Sequence, residues 1–533
     1  MKRIVLSSAL LAALAASLFA ADPPPAVSEP AQLILKPYWD SALPRAGRVE
    51  SVCVRIENPT DKPLALDVTL TPPAGMKLLD HATRHVAKWE KKPVYATNYN
   101  PGNPFRKVEE KNANATVIWR VETDKPLTGT LAISVKGDGA KPAQTSLPVG
   151  FAAALAKTDS PYVPTPVAAK TDYLIGAQYF PGWRAGEPIS TGWSPIEPYP
   201  ERKPALGWYD EDNPEVTDWE IKYALEHGIN FFMICWYRGQ GNAGKPVEHI
   251  MGHSMDNFLN KAKFRDDFKV CLSWENYSVD GVSDENDLLN NLLPYWIENY
   301  FKKPGYLKVD NKPVVSIYAL DKFVAQLGGT ANARSAVAKM NDACKAAGFA
   351  GILLISEYRG IEVGKLQMAV DCGMDASYAY CYGIDADVSK DDGEGMVMNN
   401  LNSRVKAGLL PIIPTLPHGW GPQPWLDYTN YPYGGGFWRV RPPAFKKIAT
   451  QIKELMDSQP KGSLQSRMLL LDNWNEWGEG HYLAPSREFG FAYLDIVRDI
   501  FCKGPSEHVD LVPEDVGRGP YDAGYRSWLE TQK

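Results

Sequence analysis

Between residues 47 and 135 the chain runs in short stretches that alternate polar and apolar side chains. Residues 47–56, 64–70, 116–121 and 129–135 all read this way, and turn clusters such as Asn58-Pro59-Thr60-Asp61 separate them. A period of two sends every second side chain to one face of a strand, so several such runs predict an antiparallel β-sandwich. We expect it over 28–155, as an Ig-like accessory domain. Ser160-Pro161-Tyr162-Val163-Pro164-Thr165-Pro166 then reads as a stiff, Pro-rich linker over 156–170.

From Tyr173 the pattern changes. Short apolar runs now alternate with longer stretches of helical period. The predicted strands are 173–180, 229–237, 268–274, 313–318, 351–356, 374–380, 410–415 and 468–474. Helices over 218–227, 335–347 and 443–457 fit between them, with Gly228 and Gly348 where helix C-caps belong. Eight strands interleaved with helices predict an α/β fold, a (β/α)8 TIM-type barrel over 171–505. Residues 506–533 are expected as a C-terminal tail packed on it. An open doubly wound sheet is the alternative, but no nucleotide fingerprint accompanies it.

Composition narrows the class. The chain has 533 residues, 44% of them hydrophobic and 23% charged, as expected of folded soluble domains. A net charge of −6 argues against a nucleic-acid partner, which calls for a basic face. Lys2 and Arg3 precede an apolar stretch over 6–19 and the small residues Ala20-Ala21. This predicts a secretory signal peptide over 1–21, hence export to the periplasm or beyond. The stretch is too short to span a bilayer and no other run is long enough, so no stable membrane span is expected. The seven cysteines show no CxxC spacing, and most stand in or beside apolar runs, as small core residues do. One disulfide is compatible with an oxidising compartment, although no spacing demands it.

Active sites of such barrels lie at the C-terminal ends of the strands. Reading those ends in order gives Tyr179 to Trp183, then Trp236-Tyr237-Arg238, then Trp274-Glu275-Asn276-Tyr277. Next come Tyr318, Glu357-Tyr358-Arg359, Tyr380 with Tyr382, and His418-Gly419-Trp420. The last is Trp474-Asn475-Glu476-Trp477-Gly478-Glu479-Gly480-His481. For any single aromatic, core packing is the better reading. Their recurrence beside carboxylates and amides points to a carbohydrate, whose apolar faces stack on rings and whose hydroxyls take hydrogen bonds. The candidate binding residues are Tyr179, Trp183, Trp236, Tyr237, Glu275, Asn276, Tyr318, Glu357, Tyr380, His418, Trp420, Trp474, Asn475 and His481.

Glu476 and Glu479 are the candidate catalytic pair. In a turn or a first helical turn, residues three apart share a face, about 5–6 Å apart at Cβ. Two carboxyls that close perturb each other, so one stays protonated as an acid while the other stays ionised. Glycoside cleavage uses such a pair.

Asn475-Glu476-Trp477-x-Glu479-Gly480 followed by Leu483-x-Pro485 resembles glycoside hydrolase family 99 and the related WbsX-like domain. So do Gly176-x-x-Tyr179, Ser273-Trp274-Glu275 and the stretch Tyr306-Leu307-x-Val309-x-Asn311-Lys312-Pro313-Val314-Val315. The likeness covers about 173–500. It implies an endo-acting hydrolase of α-mannose linkages that needs no metal. It also implies Glu476 as base toward the sugar's 2-hydroxyl, a 1,2-anhydro intermediate, Glu479 as general acid/base and Glu275 as a 2-hydroxyl or subsite contact. This chain has Ala484-Pro485 where relatives carry Glu-Pro after the motif's leucine.

Other signals are weaker. Gly239-Gln240-Gly241-Asn242-Ala243-Gly244-Lys245 has the glycines of a phosphate loop, but Pro246 stands where Mg²⁺ needs Ser or Thr, so we expect a flexible βα loop and no nucleotide. His249 and His253 have metal-ligand spacing without a third ligand, and Asp385-Ala386-Asp387-Val388-Ser389 lacks the rest of a calcium loop. No metal and no cofactor is therefore expected. The partner is a polysaccharide or oligosaccharide substrate. The competing expectations are a WbsX-like glycosyltransferase, which needs an activated sugar donor, and a non-catalytic carbohydrate-binding protein.

Overall fold

In strand Leu66–Thr71 of the computed structural model, Leu66, Val68 and Leu70 are buried and the residues between them face outward. The model describes residues 29–60, 62–96, 106–156, 158–186, 192–277, 280–382, 393–426, 438–504 and 508–531. The expected signal segment and the Asp385 stretch lie outside the described residues.

Leu66–Thr71 belongs to a four-stranded antiparallel sheet with Thr83–Val86, Leu127–Gly137 and Ala143–Phe151. The facing sheet holds Ile34–Trp39, Glu50–Asn58, Arg106–Glu122, Lys77–Leu78 and Glu90–Ala96. Val52, Val54, Ile56 and Trp119 from one sheet meet Val68, Leu131, Ile133 and Val135 from the other in a separate core. Each such side chain contributes roughly 1.5–3 kcal/mol by leaving water. The alternation expected from sequence is thus the burial pattern of a sandwich.

All eight expected barrel strands are present, as Leu174–Tyr179, Phe231–Arg238, Lys269–Trp274, Lys312–Ile317, Leu353–Glu357, Ala376–Tyr378, Thr415–Leu416 and Met468–Asn473. They pair in parallel in that cyclic order. The seventh is the shortest because Pro411 and Pro414 cannot donate to a ladder. Their carbonyls still accept, from Ser377 N at 2.9 Å and Leu470 N at 3.0 Å, and Ile413 N reaches Ser377 O at 2.9 Å. These bonds close the barrel.

Helices Pro214–Glu226, Thr330–Ala346 and Pro442–Asp457 occupy the expected places, and His227 and Ala347 cap the first two just before Gly228 and Gly348. The Pro-rich linker lies along the first of these helices. Val163 is buried, Tyr162 Oη donates to Asp218 at 2.6 Å and Ala169 N to Leu225 O at 2.9 Å. Arg45 of the sandwich makes a two-bonded ion pair with Asp515 of the C-terminal segment, at 2.9 and 2.6 Å. Arg55 does the same with Glu201 of the barrel. Buried pairs of this kind fix orientation more than they add stability.

The glycine loop after the second strand is not the flexible loop expected. Buried Arg238 spends all five N–H donors beneath it, on Asp287 at 2.7 and 2.9 Å, Asn242 at 2.9 Å and the carbonyls of Gly281 at 3.0 Å and Lys245 at 2.7 Å. Ala243 N and Gly244 N are held by Asp280 and Asp287. These two backbone donors are thus used within the protein. All seven cysteines are free thiols, and no helix among the described residues is long and apolar enough to cross a membrane.

Gly176 sits where a Cβ would meet the Phe231 ring at 2.1 Å. Gly176→Ala is expected to destabilise the barrel by about 1–3 kcal/mol through overpacking. Thermal unfolding checks this, and an unchanged Tm would show that Phe231 can yield.

Candidate active site

The last barrel strand ends in a tight hairpin. Asn475–Glu476 pairs antiparallel with His481–Tyr482, and residues 477–480 form the loop. Glu476 and Glu479 are therefore brought together by a tight turn, the first of the two forms expected from their spacing, here closing a hairpin. The loop is pressed against its neighbours. A Cβ at Gly478 would enter the Trp425 ring at 2.1 Å, and one at Gly480, whose φ is +72°, would meet the Gly421 carbonyl oxygen at 2.5 Å. Arg202, buried, donates to the carbonyls of Trp477 at 2.8 Å and Gly421 at 2.6 Å and so holds both sides of this contact.

The two carboxyls occupy different surroundings. Glu476 is 4% exposed, and its Oε1 is buried with no hydrogen-bond partner among the described residues. The Glu479 N–H donates to its carboxyl. Burial first, and then the Glu479 carboxylate, hold Glu476 well above the usual carboxylate range, while His481 pulls the other way. Glu479 is half-buried, 2.9 Å from His481 Nε2 and 3.3 Å from the Tyr380 hydroxyl.

His481 Nδ1 lies 2.7 Å from Asp472 Oδ1. Burial opposes its charge, but Asp472 and Glu479 on either side outweigh burial and raise the imidazole to about 10. The result is a row Asp472–His481–Glu479 with a cation in the middle. Asp472 is the extra residue of a bulge, because Ala177 pairs with Leu471 and Gln178 with Asn473. Bulges re-aim side chains in this way. Asn473 Nδ2 adds a bond to the Tyr380 hydroxyl at 3.1 Å.

Glu479 opens onto a cavity of about 610 Å³ at this end of the barrel. Its walls include Tyr318, Glu357, Tyr380 and Trp420, all expected from sequence, together with Tyr277, Tyr382 and Arg359. Arg359 bonds Glu357 at 2.9 Å and the Tyr318 hydroxyl at 3.0 Å, and lies over the Tyr380 ring at 5.5 Å. Sequence reading passed over Arg359 and assigned it no role. Its only signal was its place two residues after Glu357. Glu275, Tyr237 and Cys235 lie on the Glu476 side. Burial, followed by Cys235, Glu275 and Glu476, keeps the Tyr237 phenol protonated.

Other expected binding residues do not reach the cavity. Tyr179 and Trp474 point out of the barrel onto helix Pro214–Glu226, where both bond Glu220, at 2.9 and 3.2 Å. Trp236 stacks on His249 at 5.1 Å in the same outer layer. Trp183 stacks on Trp193 at 4.7 Å within a cluster that also takes in Trp208 and Trp477. Each belongs to the packing between strands, helices and the first loop. His418 is fully buried, and burial, followed by Arg439 and His481, keeps it neutral. Asn475 clasps the backbone of Phe180, at 2.8 and 2.9 Å, and Asn276 that of Ala319, at 2.7 and 2.9 Å. Both hold neighbouring strand ends in place. His249 and His253 do not pair, since the first accepts or donates at Tyr300 and the second at Glu211.

The family model described as Glycosyltransferase WbsX matches residues 197–407 and 436–497. That is just over half of the chain and spans both glutamates. The chain belongs to the WbsX glycosyltransferase family. Relatives of this WbsX-family chain include two proteins of Xanthomonas campestris pv. campestris, both described as uncharacterized protein WxcX, each 21% identical over 337 residues. The match covers 58% of this chain and 45% of theirs, so the chain spans less than half the length of the curated relatives it matches. Among solved structures, a GH99 endo-alpha-mannosidase from Bacteroides thetaiotaomicron aligns at a TM-score of 0.41 and 16% identity over 68% of this chain and 99% of its own. A Bacteroides ovatus GH5 xyloglucanase aligns at 0.30 and 12% identity, over 87% of this chain and 99% of its own.

The charge on His481 makes a pH prediction for this WbsX-family protein. Its contribution to stability is complete below the ordinary histidine value of 6.5 and is lost as pH rises through about 10. Asp472→Asn removes the strongest group raising that value, so the alkaline loss should begin at lower pH. Tm measured across the neutral to alkaline range checks this. The same alkaline limb in both proteins would show that Asp472 does not set the charge of His481.

Proposed function

We propose that this protein is an exported, retaining glycoside hydrolase, endo-acting on an α-linked, mannan-like polysaccharide. The observation that carries the reading is the Glu476–Glu479 hairpin, with a buried carboxyl held above its usual range beside a second one that faces an aromatic-lined cavity. An unpartnered buried carboxyl oxygen costs about 1–3 kcal/mol, and a sugar hydroxyl is the kind of group that would satisfy Glu476 Oε1. Export rests on the signal segment at 1–21.

The roles implied by the family 99 resemblance fit this site if one proton moves. At rest the proton of the pair is on Glu476. Passing it to Glu479 leaves Glu476 ionised as a base and Glu479 protonated as an acid. Glu476 then takes the proton of the 2-hydroxyl, O2 attacks the anomeric carbon, and the leaving oxygen receives the proton from Glu479. Water, deprotonated by Glu479, opens the 1,2-anhydro sugar at the anomeric carbon while Glu476 returns a proton to O2. Two inversions retain configuration, and the pair returns to its state before attack, with the proton on Glu479.

The family's description favours a second reading, transfer of a sugar from an activated donor. Incubating the protein with a polysaccharide panel, with and without sugar nucleotides, separates the two. Cleavage without nucleotide supports the hydrolase, and product formed only with nucleotide overturns it. Glu479→Gln is expected to lower turnover of natural glycan by about 10²–10⁴-fold with the fold intact, because an amide cannot act as the acid. A substrate with a very good leaving group should be partly spared. Natural-glycan turnover at the wild-type rate would remove Glu479 from the mechanism. A sugar lacking its 2-hydroxyl should not be turned over, and a sugar ester detected on Glu476 by mass spectrometry would show a nucleophile in place of a base.

A further inference from the structure

The opposite end of the barrel carries a second convergence of titratable groups. His227 follows helix Pro214–Glu226 and precedes the second barrel strand. Its ring is fully buried, stacked on Phe491 at 5.9 Å and edge-on to His508 at 5.1 Å. Nδ1 lies 2.7 Å from the Tyr223 carbonyl, so that nitrogen carries hydrogen and Nε2 faces the other way. There Nε2 is 3.2 Å from Asp510 Oδ1 and 3.6 Å from Asp495 Oδ1, yet hydrogen-bonds neither. His508 Nε2 approaches the same Asp510 oxygen at 3.0 Å. The ligand atoms of His227, His508 and Asp510 all lie within 4.8 Å of one another.

We propose that His227, His508 and Asp510, completed by Asp495, form a structural zinc site that fastens the C-terminal segment to the underside of the barrel. A histidine that binds metal through one nitrogen commonly donates its other N–H to a backbone carbonyl, as His227 does to Tyr223. Four ligands about 2.0–2.1 Å from a tetrahedral ion stand about 3.3 Å apart, close to the separations around Nε2. In a simple ion pair the buried N–H would be hydrogen-bonded to one oxygen, whereas Nε2 stands within 3.6 Å of two without such a bond. Two imidazoles with carboxylates suit zinc, while calcium and magnesium take oxygen ligands. The ligands come from separate parts of the chain. Asp495 stands on helix Ala492–Phe501, His227 at a barrel helix end, and His508 and Asp510 on the tail, whose Asp510 carbonyl also accepts from Arg45 of the sandwich at 2.6 Å. An ion here would join all three.

The test uses the full chain, stripped with a chelator, dialysed and titrated with zinc chloride at neutral pH by calorimetry, with thermal unfolding alongside. One zinc per chain and a Tm that rises with zinc but not with calcium are expected. His508→Ala and Asp495→Asn should each lower zinc affinity at least about tenfold. Asp495 is half exposed, so its amide variant tests the site without disturbing buried packing. No saturable zinc binding, or equal affinity in wild type and Asp495→Asn and His508→Ala, would overturn the proposal.

Discussion

A single cation between two carboxyl groups organises the mouth of this barrel. His481 has Asp472 on one ring nitrogen and Glu479 on the other; Asp472 and His481 are shut off from water, and Glu479 reaches the cavity. A buried imidazolium is tolerable only with such partners, and two buried carboxylates only with such a cation. This contact ties the bulge of the last strand to the far side of the hairpin. It also leaves Glu476 without a cation of its own, and burial raises its carboxyl. Loss of the His481 charge would leave Glu479 and Asp472 on either side of a neutral ring with no cation between them.

That balance requires a hairpin held to within hydrogen-bond precision, and the surrounding structure supplies the hold. Asn475 and Asn276 each bond both backbone groups of a residue in the adjoining strand end. Arg202 joins the Trp477 carbonyl of the hairpin to the Gly421 carbonyl across from it, and Arg238 joins the loops after the second and third strands through Lys245 and Gly281. Each is buried and paired, so each acts through geometry more than through net stability. A site on a hairpin thus has a rigidity closer to that of the strands beneath it.

The barrel was legible because period and length decide secondary structure, and all eight strands lie within or overlap their expected ranges. The acidic pair was legible because its residues are local in sequence. The binding residues were harder, since identity says nothing about which face of a strand a ring occupies. Tyr179, Trp236 and Trp474 stand at strand ends but on outward positions, where the helix layer needs large side chains. Tyr380 and Tyr318 stand at equivalent ends and face the cavity. Parity along each strand, counted from Gln178 or Cys235, would have separated the two sets, except at Asp472, where the bulge breaks the count. Arg359 and the tail ligands His508 and Asp510 depend on contacts between distant segments, which no local pattern carries.

The parity also explains why tyrosine dominates the cavity. Burial, followed by Glu479 and Glu476, raises the Tyr380 phenol well above its ordinary range, and burial raises Tyr318 despite Arg359 beside it. Both phenols are therefore held toward the O–H form. A tryptophan would offer a larger face but a donor in the wrong place, and a phenylalanine none. With Tyr380 bonded to Glu479 and Tyr318 to Arg359, each ring is held by its hydroxyl in the cavity wall, with the Arg359 guanidinium over both rings. The tyrosine that bonds Glu479 is thus also part of the wall, which links the charge of the site to its shape.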